Sequence, residues 1–218
     1  MDHRRPRDRR NRRPHNGSYR RKKPYKKKQF IKREREVIVL DLLPHGHVDD
    51  TKPSWAKKPL AQVLTFPDFV LYEVEFNRDS DIKVQEKDKY ENFLRSNKLG
   101  KVLRKIDYQD LTNTSKALIQ PILEKEIENY EDMFINFFNK SRSITPRLHA
   151  LKLIPGIGQK HMWEILEARN RQEFVTFQDI SDRTSISNPP KQIALRIIKE
   201  LEREGIKYYL FSKTKRYE

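Results

Sequence analysis

One short turn, the PGIG sequence at 155–158, constrains the fold of this chain more than any other stretch. Glycine reaches backbone angles that side chains forbid, so two glycines around one residue predict a tight reversal of the chain. Apolar residues precede the turn and follow it at helical spacing. We therefore predict helix, glycine turn and helix over residues 151–169, with Ile157 inserted into the apolar seam. The apolar residues that we expect to line one buried face of the second helix are Met162, Trp163, Ile165 and Leu166.

The start of the second helix is a predicted anion site. Backbone N–H groups in the first turn of a helix lack partners within the helix, and the helix dipole adds positive charge there. These features resemble the helix-hairpin-helix motif, which binds nucleic-acid backbones without reading bases; an ordinary glycine-closed hairpin in a core is the alternative. The predicted nucleic-acid contacts are Gly156, Ile157, Gly158, Gln159 and Lys160, together with Arg147 and Lys152, and the neighbouring Arg142 and His149 extend this face.

The positive charge of the chain is concentrated at its N-terminus. Lys and Arg number 47 against 31 Asp and Glu, and residues 1–36 hold 17 of these cations but only 4 of the acids. Such a segment cannot bury enough apolar surface to offset its chain entropy, so we predict a disordered tail over residues 1–35. Basic arms bind nucleic acid through counterion release, whereas a solubility tail or a targeting signal is the alternative. The tail residues predicted to contact nucleic acid are Arg12, Arg13, Arg20, Arg21, Lys22, Lys23, Lys26, Lys27 and Lys28.

Residues 36–88 are predicted to form a small β domain. The apolar run EVIVLDLLP, which begins at Glu36, is typical of a buried strand. Leu60–Phe66 and Phe69–Phe76 follow as two strands joined by a Pro-Asp turn, and Ile82–Lys87 is predicted as a further short strand. Several short strands in succession favour a small closed or half-closed barrel of the OB type.

Helices are predicted for most of the remaining chain. Residues 89–140 are assigned to a helical connector, in which Thr112 or Asn113 caps a helix and Pro121 kinks or restarts it. Pro146 is predicted to begin the helix that enters the glycine turn.

A second helical hairpin follows the first. Two helices are predicted, one over FVTFQDISDR and one over KQIALRIIKELEREG, joined by the turn SISNPP. In this turn Ile186 corresponds to Ile157 of the first hairpin. The tandem hairpins occupy residues 141–205, and residues 206–218 form a C-terminal tip. The predicted fold class is therefore α+β: a disordered basic tail, a small OB-like β-barrel domain, and a helical domain with tandem helix-hairpin-helix elements.

Several classes of protein are excluded by composition. Cysteine is absent, so disulfides and thiolate metal sites are impossible. His45 and His47, near Asp49 and Asp50, lack a regular ligand spacing, and we predict neither a metal nor a cofactor. No apolar run suits a secretory signal or a bilayer span, so we expect a cytoplasmic monomer that does not bind membranes.

From Asp107 onward the sequence resembles a known family. Three segments are similar to an archaeal family called domain of unknown function 655: YQDLT, FINFFNKSRSITPRLHALKLIPGIGQKHMWEILEARN and FVTFQDISDRTSISNPPKQIALRIIKEL. The most specific part is ITPRLHALKLIPGIG, within the second segment. The resemblance covers residues 36–202 and excludes the tail. It implies an OB-like domain joined to paired helix-hairpin-helix elements and a predicted RNA-binding role, and it implies no catalytic residues.

We therefore expect a sequence-independent RNA-binding protein, associated with the ribosome or another large RNA, whose partners are ribosomal RNA and ribosomal proteins. A DNA-binding accessory of repair or replication is the alternative, because nothing in the sequence reads the 2′-hydroxyl. A nuclease is a third hypothesis. We predict no enzyme, because the scattered aspartates form no cluster with Lys or His, and Walker and dinucleotide motifs are absent.

Overall fold

A computed structural model describes residue 1, residues 31–47, residue 53 and residues 57–212 of the chain. It is an α+β fold built on one antiparallel sheet with the strand order β4-β1-β2-β3-β5. The strands are β1 (Glu36–Leu43), β2 (Leu60–Phe66), β3 (Val70–Phe76), β4 (Lys87–Lys89) and β5 (Leu99–Lys105). The helices are α1 (Tyr90–Arg95), α2 (Asn113–Asn129), α3 (Glu131–Lys140), α4 (Gln159–Arg171), α5 (Phe177–Arg183) and α6 (Pro189–Glu202).

The first three predicted strands are confirmed, and the later strands differ from the prediction. The stretch predicted as a strand at 82–87 is irregular until Lys87, where the short β4 begins. Strand β5 lies within the predicted helical connector, so the sheet extends past residue 88 to Lys105. This strand lies at an edge of the sheet and carries exposed charges, which is why its sequence has no strong apolar signal.

The last residues of the predicted disordered tail belong to the fold. Ile31 is only 5% exposed and packs in the cluster under the sheet. The carbonyls of Arg33 and Arg35 accept hydrogen bonds from the N–H groups of Glu91 (3.0 Å) and Tyr90 (2.8 Å). The prediction is therefore wrong for residues 31–35, while residues 2–30 lie outside the described residues.

Both faces of the sheet are buried. In β1, Val37 and Val39 pack in the cluster that contains Tyr90 and Phe93 of α1. The alternate residues Ile38 and Leu40 pack in a second cluster, which continues through α2 and α3 to Ile197 of α6. Because side chains of a strand alternate between the faces, the apolar run of β1 supplies both clusters.

A buried glutamine fixes α2 to the sheet. The Gln62 side-chain carbonyl accepts hydrogen bonds from the Thr112 N–H and the Ser115 hydroxyl, each at 2.9 Å. Thr112 is the N-cap of α2, since its hydroxyl accepts from the Ser115 N–H at 3.1 Å, which confirms one of the two predicted caps. The helix continues through Pro121, so the predicted restart there is wrong. This proline is exposed, and water can bond to the carbonyl that it leaves without a partner.

The segment before the glycine turn is not the helix predicted from Pro146. It forms a two-stranded hairpin of β6 (Ser143–Thr145) and β7 (Leu148–His149), followed by one 3₁₀ turn over Ala150–Leu153. The Arg169 guanidinium of α4 holds the base of this hairpin by donating to the carbonyls of Phe138 (2.7 Å) and Ser141 (2.9 Å).

The two helices predicted around the SISNPP turn are present as α5 and α6, and Ile186 between them is buried. The residues after α6, which begin the predicted C-terminal tip, are tied to that helix by a buried ion pair. The Glu200 carboxylate accepts from the Arg196 Nε at 2.8 Å and from the N–H groups of Leu210 and Ser212. Arg196 also donates to the Leu153 carbonyl at 3.1 Å, so one residue pair joins three segments.

We expect Glu200→Ala to lower the free energy of unfolding by about 3–5 kcal/mol, because it leaves a buried guanidinium without its partner. Glu167 is the matched control, since it also pairs with an arginine four residues along a helix but is exposed. Glu167→Ala is expected to cost at most about 0.5 kcal/mol. Urea unfolding of both variants measures the difference, and equal losses would contradict this account.

We expect the free energy of unfolding to fall as the pH drops below about 6.5, in part because of His149. Burial, and then the positive charge of Arg169, lower the pKa of His149 from its usual 6.5. The unfolded chain therefore takes up a proton before the folded protein does. His149→Asn keeps an oxygen that can accept from the Leu151 N–H in place of the His149 Nδ1 (3.1 Å), but it does not titrate. Urea unfolding between pH 7.5 and 5 should show a smaller loss in this variant, and an equal loss would exclude His149 as a source.

Candidate nucleic-acid interface

The glycine turn connects the 3₁₀ turn to α4 and packs against the core at its centre. Ile157 is 3% exposed and lies in the cluster shared with Ile154 and α6, so its predicted insertion is confirmed. The Ile157 N–H donates to the Ile154 carbonyl at 3.1 Å, which closes the turn. Gly156 and Gly158 lie on either side of this buried residue and are both exposed.

The two glycines have different roles. Gly156 has φ +84°, and a Cβ there would lie 3.2 Å from the Nε2 of Gln192. Gly158 has φ −82° and ψ −171°, which any residue can adopt. Apart from its neighbours along the chain, no atom of the described residues lies within 4 Å of a Cβ at Gly158. Gly156 is thus required by the fold, whereas the absence of a side chain at Gly158 leaves the main chain open to a ligand.

The N-terminus of α4 carries free backbone donors. Gly158 is the N-cap and supplies no side-chain acceptor, and the first hydrogen bond within the helix runs from the Met162 N–H to the Gly158 carbonyl at 3.0 Å. The N–H groups of Gln159, Lys160 and His161 precede that bond. Such donors attract anions, and phosphate in particular.

The N-terminus of α6 is closed by its own sequence. Its first two residues are prolines, which have no N–H, and the Asn188 side chain accepts from the Lys191 N–H at 3.0 Å. The Gln192 N–H donates to the Asn188 carbonyl at 3.3 Å. The first turn of α6 therefore has no free backbone donor.

The sequence on both sides of the glycine turn contains basic residues and no acidic ones. No Asp or Glu occurs between Asp132 and Glu164. Arg142 and Arg147 are exposed, Arg147 at the tip of the β6–β7 hairpin, and neither forms an ion pair within the described residues. The basic residues of this stretch are Lys140, Arg142, Arg147, Lys152 and Lys160.

Of the predicted contacts, Ile157 is not available to a ligand, because its side chain is buried and its N–H is bonded to Ile154. The Lys152 Nζ donates to the Gln159 side chain at 2.9 Å, which places its charge beside the start of α4. The Lys160 Nζ lies 3.8 Å from the Glu164 carboxylate, one turn along the helix. The predicted contacts from Arg12 to Lys28 lie outside the described residues.

Glu164 links the two hairpins. Its carboxylate accepts from the Ser185 N–H at 3.1 Å. Hydrogen bonds from the Ser185 side chain and backbone lower the pKa of Glu164, which is therefore ionised at neutral pH. The acid beside Lys160 thus has a structural partner in the second hairpin.

Trp163 is the residue of α4 for which the prediction is wrong. The sequence pattern predicts it in the buried face, but it is 59% exposed, whereas Met162 and Ile165 are buried. Trp163 lies four residues after Gln159 and four before Glu167, and these polar neighbours define the solvent face of the helix. The polar residues at this spacing are the signal that identifies the exposed position.

The described residues contain neither a candidate metal site nor a membrane-spanning helix. Across the described ranges, no group of three or more His, Asp or Glu side chains could hold a metal ion. No helix in the described part of the chain has the length and apolar composition needed to cross a bilayer.

Comparison with known proteins places this arrangement in a family. The chain is 38% identical over 192 residues to the uncharacterized protein MJ0038 of Methanocaldococcus jannaschii, covering 88% of this chain and 85% of that protein. The crystal structure of Af1531 from Archaeoglobus fulgidus matches with a TM-score of 0.72 and 35% identity, covering 82% of this chain and 99% of the other. A family model described as a protein of unknown function, DUF655, matches residues 33–213. The chain therefore belongs to the DUF655 family.

Proposed function

We propose that this protein binds RNA through its phosphate backbone, without reading the sequence of bases, and that it is a binding protein rather than an enzyme. The observation that carries the proposal is the start of α4, where uncapped N–H groups lie beside the uncovered Gly158. A phosphate oxygen is the ligand that best fits several converging backbone donors.

The charge around the turn supports a phosphate ligand. Lys152 and Lys160 lie beside the free donors, and the exposed Arg142 and Arg147 on the β6–β7 hairpin supply further cations. Because a nucleic-acid backbone presents phosphates in series, cations on two neighbouring elements can contact successive phosphates.

We interpret the two helical hairpins as tandem helix-hairpin-helix elements with different roles. The first binds phosphate, and the second, whose N-terminus is closed by prolines and Asn188, packs against it. We interpret the five-stranded sheet as the OB-like domain, since its short antiparallel strands are of the kind that such domains contain.

RNA is the nucleic acid that we favour. The tail carries closely spaced Arg and Lys residues, and basic extensions of this kind become ordered when they enter folded RNA. We propose a large structured RNA, with ribosomal RNA and its proteins as the partners. DNA shares the phosphate chemistry, and the binding experiment below includes it as a second probe.

We expect Gly158→Val in the full chain to weaken binding to a labelled RNA stem-loop about tenfold, because the new side chain keeps a phosphate from the donors. Valine suits the extended backbone at this position, so circular dichroism and urea unfolding should show an intact fold. Fluorescence anisotropy measures Kd.

Ser187→Val is the matched control, since it adds a similar exposed side chain in the second hairpin, and we expect Kd to change less than about twofold. Unchanged affinity in a folded Gly158→Val protein would remove the glycine turn from the proposed mechanism. Tighter binding to a DNA stem-loop of the same sequence would assign the site to DNA instead.

We expect deletion of residues 2–30 to reduce the dependence of RNA affinity on salt, because each phosphate contact contributes about 0.7–0.9 to the log–log slope. The deletion spares Ile31, which is buried under the sheet, so the fold should be retained. Anisotropy titrations over a series of KCl concentrations give the slope for the full and shortened chains. Identical slopes would show that the tail makes no contact with RNA phosphates.

A further inference from the structure

We propose that Trp163 stacks against an unpaired base of the bound RNA, so that the protein recognises a single-stranded segment at the glycine turn. This inference rests on the proposed RNA-binding function and specifies its substrate. It starts from the exposure of the side chain, since tryptophan is among the most buried residues on average, whereas Trp163 is 59% exposed.

The location of Trp163 suits a nucleotide whose phosphate lies at the turn. Its side chain lies one helical turn beyond Gln159, about 6 Å along the axis of α4. Side chains at this spacing lie on the same helical face. A phosphate held beside Gln159 and Lys160 therefore places the base of its own or the adjoining nucleotide within reach of the indole ring.

The charges around Trp163 favour a phosphate at the turn rather than over the indole ring. Cations lie on the side of the turn, where Lys152 bonds to Gln159 and Lys160 is exposed. The two nearby acids are engaged, Glu164 with the Ser185 N–H and with Lys160 at 3.8 Å, and Glu167 with Arg171 at 2.5 Å. A phosphate is therefore attracted toward the turn, and the uncharged base of the nucleotide can stack on the indole ring of Trp163.

Stacking is compatible with binding that ignores sequence. Every base has a π face, so an aromatic platform adds affinity without base identity, at about 1–3 kcal/mol per base. In an A-form duplex the bases are stacked on one another and their faces are covered. Trp163 therefore discriminates between unpaired and paired RNA, which the backbone donors of the turn do not.

The chain provides a direct optical test, because it contains only two tryptophans, Trp55 and Trp163. In the full-length Trp55→Phe protein, all indole fluorescence comes from Trp163. We expect oligouridylate to quench this fluorescence on binding, and a fully paired RNA duplex to leave it nearly unchanged.

Affinity provides a second readout. We expect Trp163→Ala to weaken oligouridylate binding about tenfold, Trp163→Phe to retain most of the affinity, and neither to change duplex binding more than about twofold. Val175→Ala is the matched control, since Val175 is 67% exposed but lies outside α4, and it should leave both affinities unchanged.

The outcomes separate this inference from the proposed function. RNA binding with unquenched Trp163 and an unaffected Trp163→Ala protein would overturn the stacking role and leave phosphate binding in place. Equal quenching by duplex and single strand would overturn the preference for unpaired RNA. If the Trp163→Ala protein no longer associates with ribosomal proteins but binds RNA with unchanged affinity, Trp163 contacts a protein partner and the stacking role is overturned. Failure of the unaltered protein to bind any RNA would overturn both proposals.

Discussion

The arrangement of the candidate site depends on the buried pair of Arg196 and Glu200. Two charges that leave water are stable only when their hydrogen-bonding capacity is filled, and here the partners come from two other segments of the chain. Arg196 donates to the carbonyls of Leu153 and Tyr208, and Glu200 accepts from the successive N–H groups of Leu210, Phe211 and Ser212. The 3₁₀ turn that leads into the glycine turn is thereby held against α6. A second arginine, Arg169, holds the β6–β7 hairpin on the other side in the same manner.

The connections that lead into α4 and α6 show how similar turns acquire different surfaces. Each contains a buried isoleucine, Ile157 in the first and Ile186 in the second. Their helix starts differ, because Gly158 leaves the donors of α4 free, whereas two prolines and Asn188 leave none in α6. The cap residue, rather than the hairpin itself, decides which helix start is available to an anion. The link from Glu164 to Ser185 keeps the available and the closed helix start next to each other.

Much of the fold could be predicted from local patterns. Strands β1 to β3 were found because their apolar runs are long and are separated by a turn, and the Thr112 cap was among the two proposed. Strand β5 was missed because an edge strand with exposed charges resembles a polar connector. The helix predicted from Pro146 was wrong, because a proline is favoured at the first position of a helix and also in a hairpin turn. The barrel and helix-hairpin-helix interpretations remain predictions.

The sequence by itself determined the local features of this protein. The glycine turn, the insertion of Ile157, the run without acids from 133 to 163, and the basic tail can all be read from residue types and their spacing. Tertiary structure alone decided which groups are accessible. Gly156 is confined by Gln192 of a distant helix, whereas Gly158 faces open space. The physical reason is that accessibility depends on packing between segments far apart in sequence, which the spacing of residues along one helix does not encode.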